Sequence, residues 1–467
     1  MRQHWANPDL HLDLDQFGSR PGRALEDGLR AAVRDGRLTP GTRLPASRSL
    51  AADLGIARNT VAGVYAQLTA EGWLTARTGA GTWIAEHPAP AAEAAHREPA
   101  SPPRPRYPLH PGLPDLTAFP RRDWLAAGRR ALNASSVSSL GYPDPRGAPV
   151  LREALAGYLA RARGVSVSPE QIVVCSGFAH GLALLGRVLR GRDVSAIAVE
   201  EFGLPEHQRV IAGSGLRLAP LPVDGDGAVP SDAVLADAGA ALLTPAHQFP
   251  LGVTLSPERR RRFAEWAAGT GALLIEDDYD GEFRYDRHPV GALHALAPRH
   301  VVYGGTASKA LAPGLRLGWL ALPARLVDDV ISAARLVRGG PDVIGQLTLA
   351  EFITSSGYDR QVRQARLACR RRRDELVSAL RREAPAARVS GIAAGLHALV
   401  ELPPGLTEET AIGRALHRGV EVQGLAPCAA APGIGHAPAL TVGYGCPSPR
   451  AFPAAIAGLC AALREPG

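Results

Sequence analysis

The chain has 467 residues, too many for one ordinary core, so two or more domains are expected. Its hydrophobic content of 46% excludes a disordered chain, no apolar run is long enough to span a bilayer, and the polar start with Asp9, Asp13 and Asp15 is unlike a secretory signal. A net charge of +7 permits nucleic-acid binding without demonstrating it, while the five cysteines form no C-x-x-C pair, so a reduced cytoplasmic setting with no structural zinc is expected.

Leu25, Leu29, Ala32 and Val33 fall on one face of a first helix, and Pro40-Gly41 breaks the chain after it. A second short helix is expected over 47–54, with Ser47 as N-cap and Gly55 as its stop. Arg58-Asn59-Thr60 opens a third, whose buried stripe is Val61, Val64, Tyr65 and Leu68 and which Gly72 ends. Two strands, 73–75 and 82–84, flank Arg77-Thr78-Gly79-Ala80-Gly81. The segment 15–86 therefore reads as an α+β winged helix-turn-helix. Residues 87–108 are rich in Pro, Ala and Arg without periodicity and read as a linker.

From Leu109 onward strands and helices alternate. Apolar runs at 172–175, 197–199, 241–244, 273–275 and 301–303 are separated in places by helical stretches such as 150–163 and 257–269. That alternation predicts an α/β domain over 109–467 with a mostly parallel sheet. After about Pro341 the pattern changes to a smaller α+β lobe. It holds a long arginine-rich helix, about 359–382, and strands near 397–402 and 440–443. The run Arg370–Arg373 reads as a solvated helix face, with a nucleic-acid patch as the alternative.

Two constellations carry chemistry. At the N-terminus of a recognition helix, Arg58, Asn59 and Thr60 offer hydrogen-bonding side chains to base edges or phosphates. Arg48, in the preceding helix, suits a phosphate, and Gly79 and Gly81 let a wing tip approach a nucleic-acid backbone closely. A helical module that binds protein is the alternative.

The second constellation surrounds the chain's single lysine. Lysine and arginine total 52, and all but Lys309 are arginine. Arginine can stand in for lysine on a solvated surface, but not where an amine must lose its proton and attack a carbonyl. Lys309 closes Gly304-Gly305-Thr306-Ala307-Ser308-Lys309, and Arg316 follows seven residues on. A pyridoxal 5′-phosphate site needs such an amine, hydroxyls and a cation for the phosphate, and a carboxylate for the pyridine nitrogen. The carboxylate is available in Glu276-Asp277-Asp278-Tyr279-Asp280, at the end of an apolar strand. Ser176-Gly177-Phe178 opens a helix after another strand, where backbone N–H groups receive phosphate well.

Gly36–Gly55, Arg58–Val61 and Leu68–Leu74 closely resemble the GntR-type winged helix. By that resemblance Arg48, Arg58, Asn59, Thr60 and the wing glycines would contact DNA. The remainder resembles fold-type I aminotransferases, in particular the MocR/GabR regulators, which join the two parts. The marks are Gly141–Gly147 (G-Y-P-D-P-R-G), Thr244–Pro250 (T-P-A-H-Q-F-P), Ile275–Tyr285 (I-E-D-D-Y-D-G-E-F-R-Y) and Gly305–Gly318. The resemblance implies that Lys309 forms an internal aldimine, Asp277 holds the pyridine nitrogen and Tyr279 faces the ring hydroxyl. Ser176, Gly177, Phe178, Thr306, Ser308 and Arg316 would hold the phosphate. Tyr142 would reach across a homodimer interface. His247 would lie in the loop beneath the ring, with no role assigned to it.

This chain departs from the pattern at two places. Thr441 stands where the family usually has an arginine that grips a substrate carboxylate, and Glu200–Leu204 has Phe202 and Leu204 for Pro and Tyr. Efficient transamination of α-amino acids is therefore not expected. The leading expectation is a regulator that binds paired half-sites on double-stranded DNA as a homodimer and senses the cofactor, an amine or an amino acid. The alternatives are an aminotransferase with an appended DNA-binding head, and an interaction module on an inactive fold.

Overall fold

In the computed structural model the described residues are 20–77, 79–86, 105–285, 291–337 and 340–464. Residues 15–19 of the expected winged helix, Thr78 of its wing and most of the linker lie outside them. The chain divides into two compact units between Arg104 and Pro105.

In the first unit, α1 (Pro21–Arg34), β1 (Arg43–Leu44), α2 (Ser47–Leu54), α3 (Arg58–Ala70), β2 (Leu74–Arg77) and β3 (Gly81–Ile84) follow one another. The strands form an antiparallel sheet in the order β1-β3-β2. Leu25, Leu29 and Ala32 from α1 pack on Val61, Val64, Tyr65 and Leu68 from α3, the stripes that helical periodicity predicts. Ser47 is not the N-cap of α2: Ala46 occupies that position, and no side chain caps the helix. The Leu50 N–H already bonds the Ala46 carbonyl at 3.0 Å, so Ser47 lies inside the first turn and cannot cap it. Arg30 joins Glu71 at 2.8 Å and ties α1 to the end of α3.

The second unit begins with β4 (Tyr107–Pro108), α4 (Arg121–Ala134), α5 (Pro149–Arg163), β5 (Ile172–Cys175), α6 (Phe178–Gly191), β6 (Ala196–Glu200), α7 (Pro205–Gly213) and β7 (Arg217–Leu221). A small hairpin, β8 (Val223–Asp224) and β9 (Gly227–Ala228), leads to α8 (Asp232–Leu235), β10 (Ala240–Leu243), α9 (Pro257–Thr270), β11 (Leu273–Asp277), β12 (Val301–Thr306) and β13 (Gly318–Ala321). Seven of these strands form the central sheet, ordered β5-β13-β12-β11-β10-β6-β7. All run parallel except β13, which lies antiparallel between β12 and β5. The periodicity reading did not find β13 or β7. Gly318-Trp319-Leu320-Ala321 is too short to show a period, and its register is set by Cys175, far away in sequence. Helices cover both faces, so β11 is buried at every position.

The chain continues through α10 (Val327–Val337), α11 (Val343–Thr354) and α12 (Gly357–Glu383) to β14 (Arg388–Ser390) and β15 (His397–Glu401). It ends with α13 (Glu408–His417), β16 (Val420–Glu421), β17 (Gln423–Gly424), β18 (Ala439–Gly443) and α14 (Phe452–Leu463). A four-stranded sheet, β14-β15-β18-β17, carries the smaller lobe. The lobe's core does not begin at Pro341. Leu349, Phe352 and Tyr358 pack with the larger core, whereas Leu109 and Cys369 onward form the smaller one, and β4 pairs with β16. Among the described residues no helix is long and apolar enough to cross a membrane.

Candidate functional site

The parallel strands β6, β10, β11 and β12 end on one edge of the sheet, and the side chains just beyond those ends meet in a cavity of about 250 Å³. Lys309, Asp277, Tyr279, Gly177, Phe178, Thr306, Ser308 and Arg316 all line it. Residues far apart in sequence thus converge because each lies at or just beyond one edge of the same sheet.

Lys309 donates from Nζ to the Gly112 carbonyl at 2.7 Å, and Nζ lies 5.9 Å from the centre of the Tyr279 ring. Burial pushes its amine below the ordinary lysine value, partly offset by Asp280 and Asp277. A desolvated amine with a depressed pKa is poised as a nucleophile. Gly112 has φ +75, and an added Cβ there would lie 3.1 Å from Nζ, so the left-handed turn lets its carbonyl hold the amine.

The acids of Glu276–Asp280 divide by the alternation of an extended chain. Asp277 and Tyr279 face the cavity. Glu276 instead accepts the N–H groups of Leu293 and His294 at 2.8 and 3.0 Å. Asp278 takes Arg163 at 2.6 Å and the Tyr303 hydroxyl at 2.7 Å, both buried. Asp277 has His207 Nδ1 at 3.4 Å, and the His207 ring packs edge-on against Phe178. The Tyr279 hydroxyl donates to the His247 carbonyl at 3.1 Å and lies 3.2 Å from His247 Nδ1, which in turn meets Asp280 at 2.8 Å. His247 thus belongs to a buried chain beneath the cavity. His397 stands beside it, with ring centres 4.9 Å apart, and ligand-type atoms of His247, Asp280 and His397 all lie within 4.8 Å of one another.

At the other end, α6 starts with Gly177 as N-cap at φ 83, ψ 166, a conformation open to glycine alone, and no side chain caps the helix. Its first N–H groups therefore remain available. Arg316 also has positive φ, 53, unusual for a residue other than glycine, and its guanidinium packs against Gly177. The hydroxyls of Thr306 and Ser308 lie 2.7 Å apart. Ser176 is not among the lining residues; its backbone N–H donates to His180 Nδ1 at 3.1 Å. Tyr142 is fully exposed and lines no part of this cavity.

Sequence reasoning missed Gly112, His207 and Thr244 as lining residues. Thr244 stands in a quoted motif, but Gly112 sits in an irregular stretch that periodicity does not reach. Glu200, at the end of β6, accepts from Gln248 at 3.2 Å and from the Thr244 hydroxyl, and burial pushes it up to about 7.

On the first unit, Arg48, Arg58 and Asn59 are exposed and make no hydrogen bond or ion pair among the described residues, while Thr60 is half-buried against Gly22. The N-cap of α3 is Ala57 with no side-chain cap, so the helix start presents open N–H groups at Arg58 and Asn59. Arg43 donates to the Ala80 carbonyl at 2.7 Å, and its guanidinium and that of Arg77 lie over the Trp83 ring. That arrangement holds the wing turn at Gly79 and Gly81.

The family model for aminotransferase class I and II matches residues 113–422, and that for bacterial regulatory proteins of the gntR family matches residues 21–84. The chain is 33% identical over 393 residues to a probable rhizopine catabolism regulatory protein, MocR, of Rhizobium meliloti, covering 79% of each chain. It is 36% identical over 402 residues to the HTH-type pyridoxine biosynthesis transcriptional regulator PdxR of Corynebacterium glutamicum, covering 84% of this chain and 86% of that one. Among solved structures, an archaeal alanine:glyoxylate aminotransferase superposes with a TM-score of 0.69 at 26% identity, covering 76% of this chain and 90% of its own.

Proposed function

Because the chain belongs to the MocR-type transcriptional regulators, in which a GntR winged helix precedes an aminotransferase class I and II domain, we propose that it holds pyridoxal 5′-phosphate at Lys309 and senses occupancy of that cavity. The sensed molecule is the cofactor itself or an amine presented to it. The observation that carries this reading is the position of the only lysine: half-buried, lining the cavity, with its amine on a backbone carbonyl.

The residues fit the cofactor. Lys309 would hold the aldehyde carbon, Asp277 the pyridine nitrogen, and Arg316, Thr306, Ser308 and the first N–H groups of α6 the phosphate. Tyr279 would flank the ring. When bound, the group supplies a carbonyl that captures primary amines. Asp277, with His207 at 3.4 Å, would face the ring nitrogen, and Phe178, Leu242 and Phe249 give the cavity an apolar wall. The relative named for pyridoxine biosynthesis supports a regulator that reads the vitamin-derived cofactor.

A homodimer completes the proposal. Leu125, Val137, Tyr142 and Leu336 are 72%, 91%, 103% and 73% exposed, an apolar load that suits cover by a second copy. Two winged heads would then meet paired half-sites, with Arg48, Arg58, Asn59 and the wing glycines Gly79 and Gly81 against DNA, and Thr60 supporting the helix start. Steady transamination is disfavoured by Thr441, which is fully buried in β18 and offers no cation for a carboxylate. Gel shifts on the adjoining promoter region, at physiological salt and with and without pyridoxal 5′-phosphate, test the reading. A specific complex whose affinity changes with the cofactor, and no longer changes in Lys309→Ala, is expected. A complex indifferent to the cofactor refutes it.

A further inference from the structure

The ligand-facing wall of the cavity is charged in an asymmetric way. Apart from the imidazole of His207, which lies against Asp277, its cations among the described lining residues are Lys309 and Arg316; its acids are Asp277, Glu200 and Glu206. Arg316 packs on Gly177 at the start of α6, and Lys309 is held by Gly112. In the reading above, which this inference rests on, both are committed to the cofactor. No guanidinium is left for a carboxylate, and Thr441 in β18 adds none.

The acids are not all committed. Asp277 has His207. Glu206, in the first turn of α7, is exposed at the rim and makes no hydrogen bond or ion pair among the described residues. Glu200 lies deeper, buried with Thr244 and Gln248 on its carboxylate. Val199, Leu204, Leu242 and Phe249 supply apolar wall. An effector bearing a carboxylate would meet two acids and no free cation. A second ammonium group would meet the opposite, with methylenes against the apolar wall. Selectivity then arises from repulsion as much as from attraction.

We propose that the effector of this cavity is a diamine or polyamine lacking a carboxylate, whose first amino group goes to the Lys309 end and whose second, as ammonium, is held by Glu206 and Glu200. Arrival of that ammonium would favour the ionised form of Glu200, against the burial that disfavours it.

The test uses the full chain loaded with pyridoxal 5′-phosphate, so that anything a second copy contributes to the cavity is present. The absorbance of the bound cofactor is recorded first, then titrated with 1,4-diaminobutane, butylamine and 4-aminobutyrate. The diamine is expected to shift the band at a half-saturating concentration about ten-fold below those of the other two, the size of one charge-assisted hydrogen bond. Glu206→Gln should remove most of that ten-fold preference, and Glu206→Arg should turn it toward 4-aminobutyrate. Equal or tighter binding of the amino acid by the parent chain overturns the proposal. So does a preference that survives both substitutions. If no cofactor band is present before any amine is added, the cofactor reading itself fails and takes this one with it; a normal band with the wrong amine order refutes the effector class alone.

Discussion

Arg316 and Gly177 hold left-handed backbone at φ 53 and 83 and pack against each other, the arginine carbon 3.6 Å from where a Cβ would stand on the glycine. They bring a guanidinium and an uncapped helix start to one end of the cavity, the pairing that receives a phosphate. Two strained positions in contact are maintained only where the surrounding structure imposes them.

Gly177→Ala should therefore cost about 1–3 kcal/mol of stability and weaken cofactor binding as well. The steric contact with Arg316 is ordinary, so the loss comes from the backbone angle. Thermal unfolding and a cofactor titration on the same variant check this. An unchanged melting temperature with unchanged half-saturation would show that the positive-φ start of α6 is unimportant.

The neighbouring acids of β11 should separate by role. Asp278→Asn leaves Arg163 buried with its partner neutralised, and a loss of about 3–5 kcal/mol is expected, as for other broken buried pairs. Asp277→Asn should cost far less stability but reduce cofactor affinity. Denaturant unfolding and absorbance titration, run on both variants, distinguish them. Two variants with the same profile would contradict the division of the motif into supporting and cavity-facing residues.

Glu200 sets a pH dependence. Its folded-state value is raised from 4.5 to about 7 by burial, so the folded state binds the proton more tightly than the unfolded chain. The stabilisation that follows is fully present below about 4.5 and is lost as pH rises through 7. By pH 8 the parent carries a penalty of roughly 3 kcal/mol that Glu200→Gln avoids. Calorimetry should find the variant's melting temperature gaining on the parent's between pH 5 and pH 8. A constant difference across that range would contradict the assignment.

On the first unit, Arg58→Ala should weaken operator binding by about 1–3 kcal/mol while leaving the helical content unchanged, since the side chain is exposed and unpartnered among the described residues. Fluorescence anisotropy with a labelled operator, repeated at several salt concentrations, reads the effect. Full retention of affinity would remove α3 from the interface.

Much of this architecture is legible in the sequence wherever a single face decides it. The stripe Val61, Val64, Tyr65 and Leu68 and the apolar runs of β5, β6 and β11 announce themselves by period or by burial on both sides. Lys309 stands out because no other lysine competes with it. Contacts made only by the tertiary fold were hidden. The Gly112 carbonyl meets Lys309 across 197 residues, β13 takes its register from β5, and His207 reaches Asp277 from another helix. Ser47 shows the limit of local cues: a good capping residue lies one place inside the helix it was expected to cap. Tyr142, expected at a homodimer interface, is fully exposed in this chain and lines no part of the cavity.

The most direct measurement is borohydride reduction of the full chain after incubation with pyridoxal 5′-phosphate, followed by mass analysis of its peptides. The account predicts one modified peptide, carrying the reduced pyridoxyl phosphate on Lys309, and none in Lys309→Ala. An unmodified Lys309 peptide from the reduced, cofactor-treated protein would contradict it.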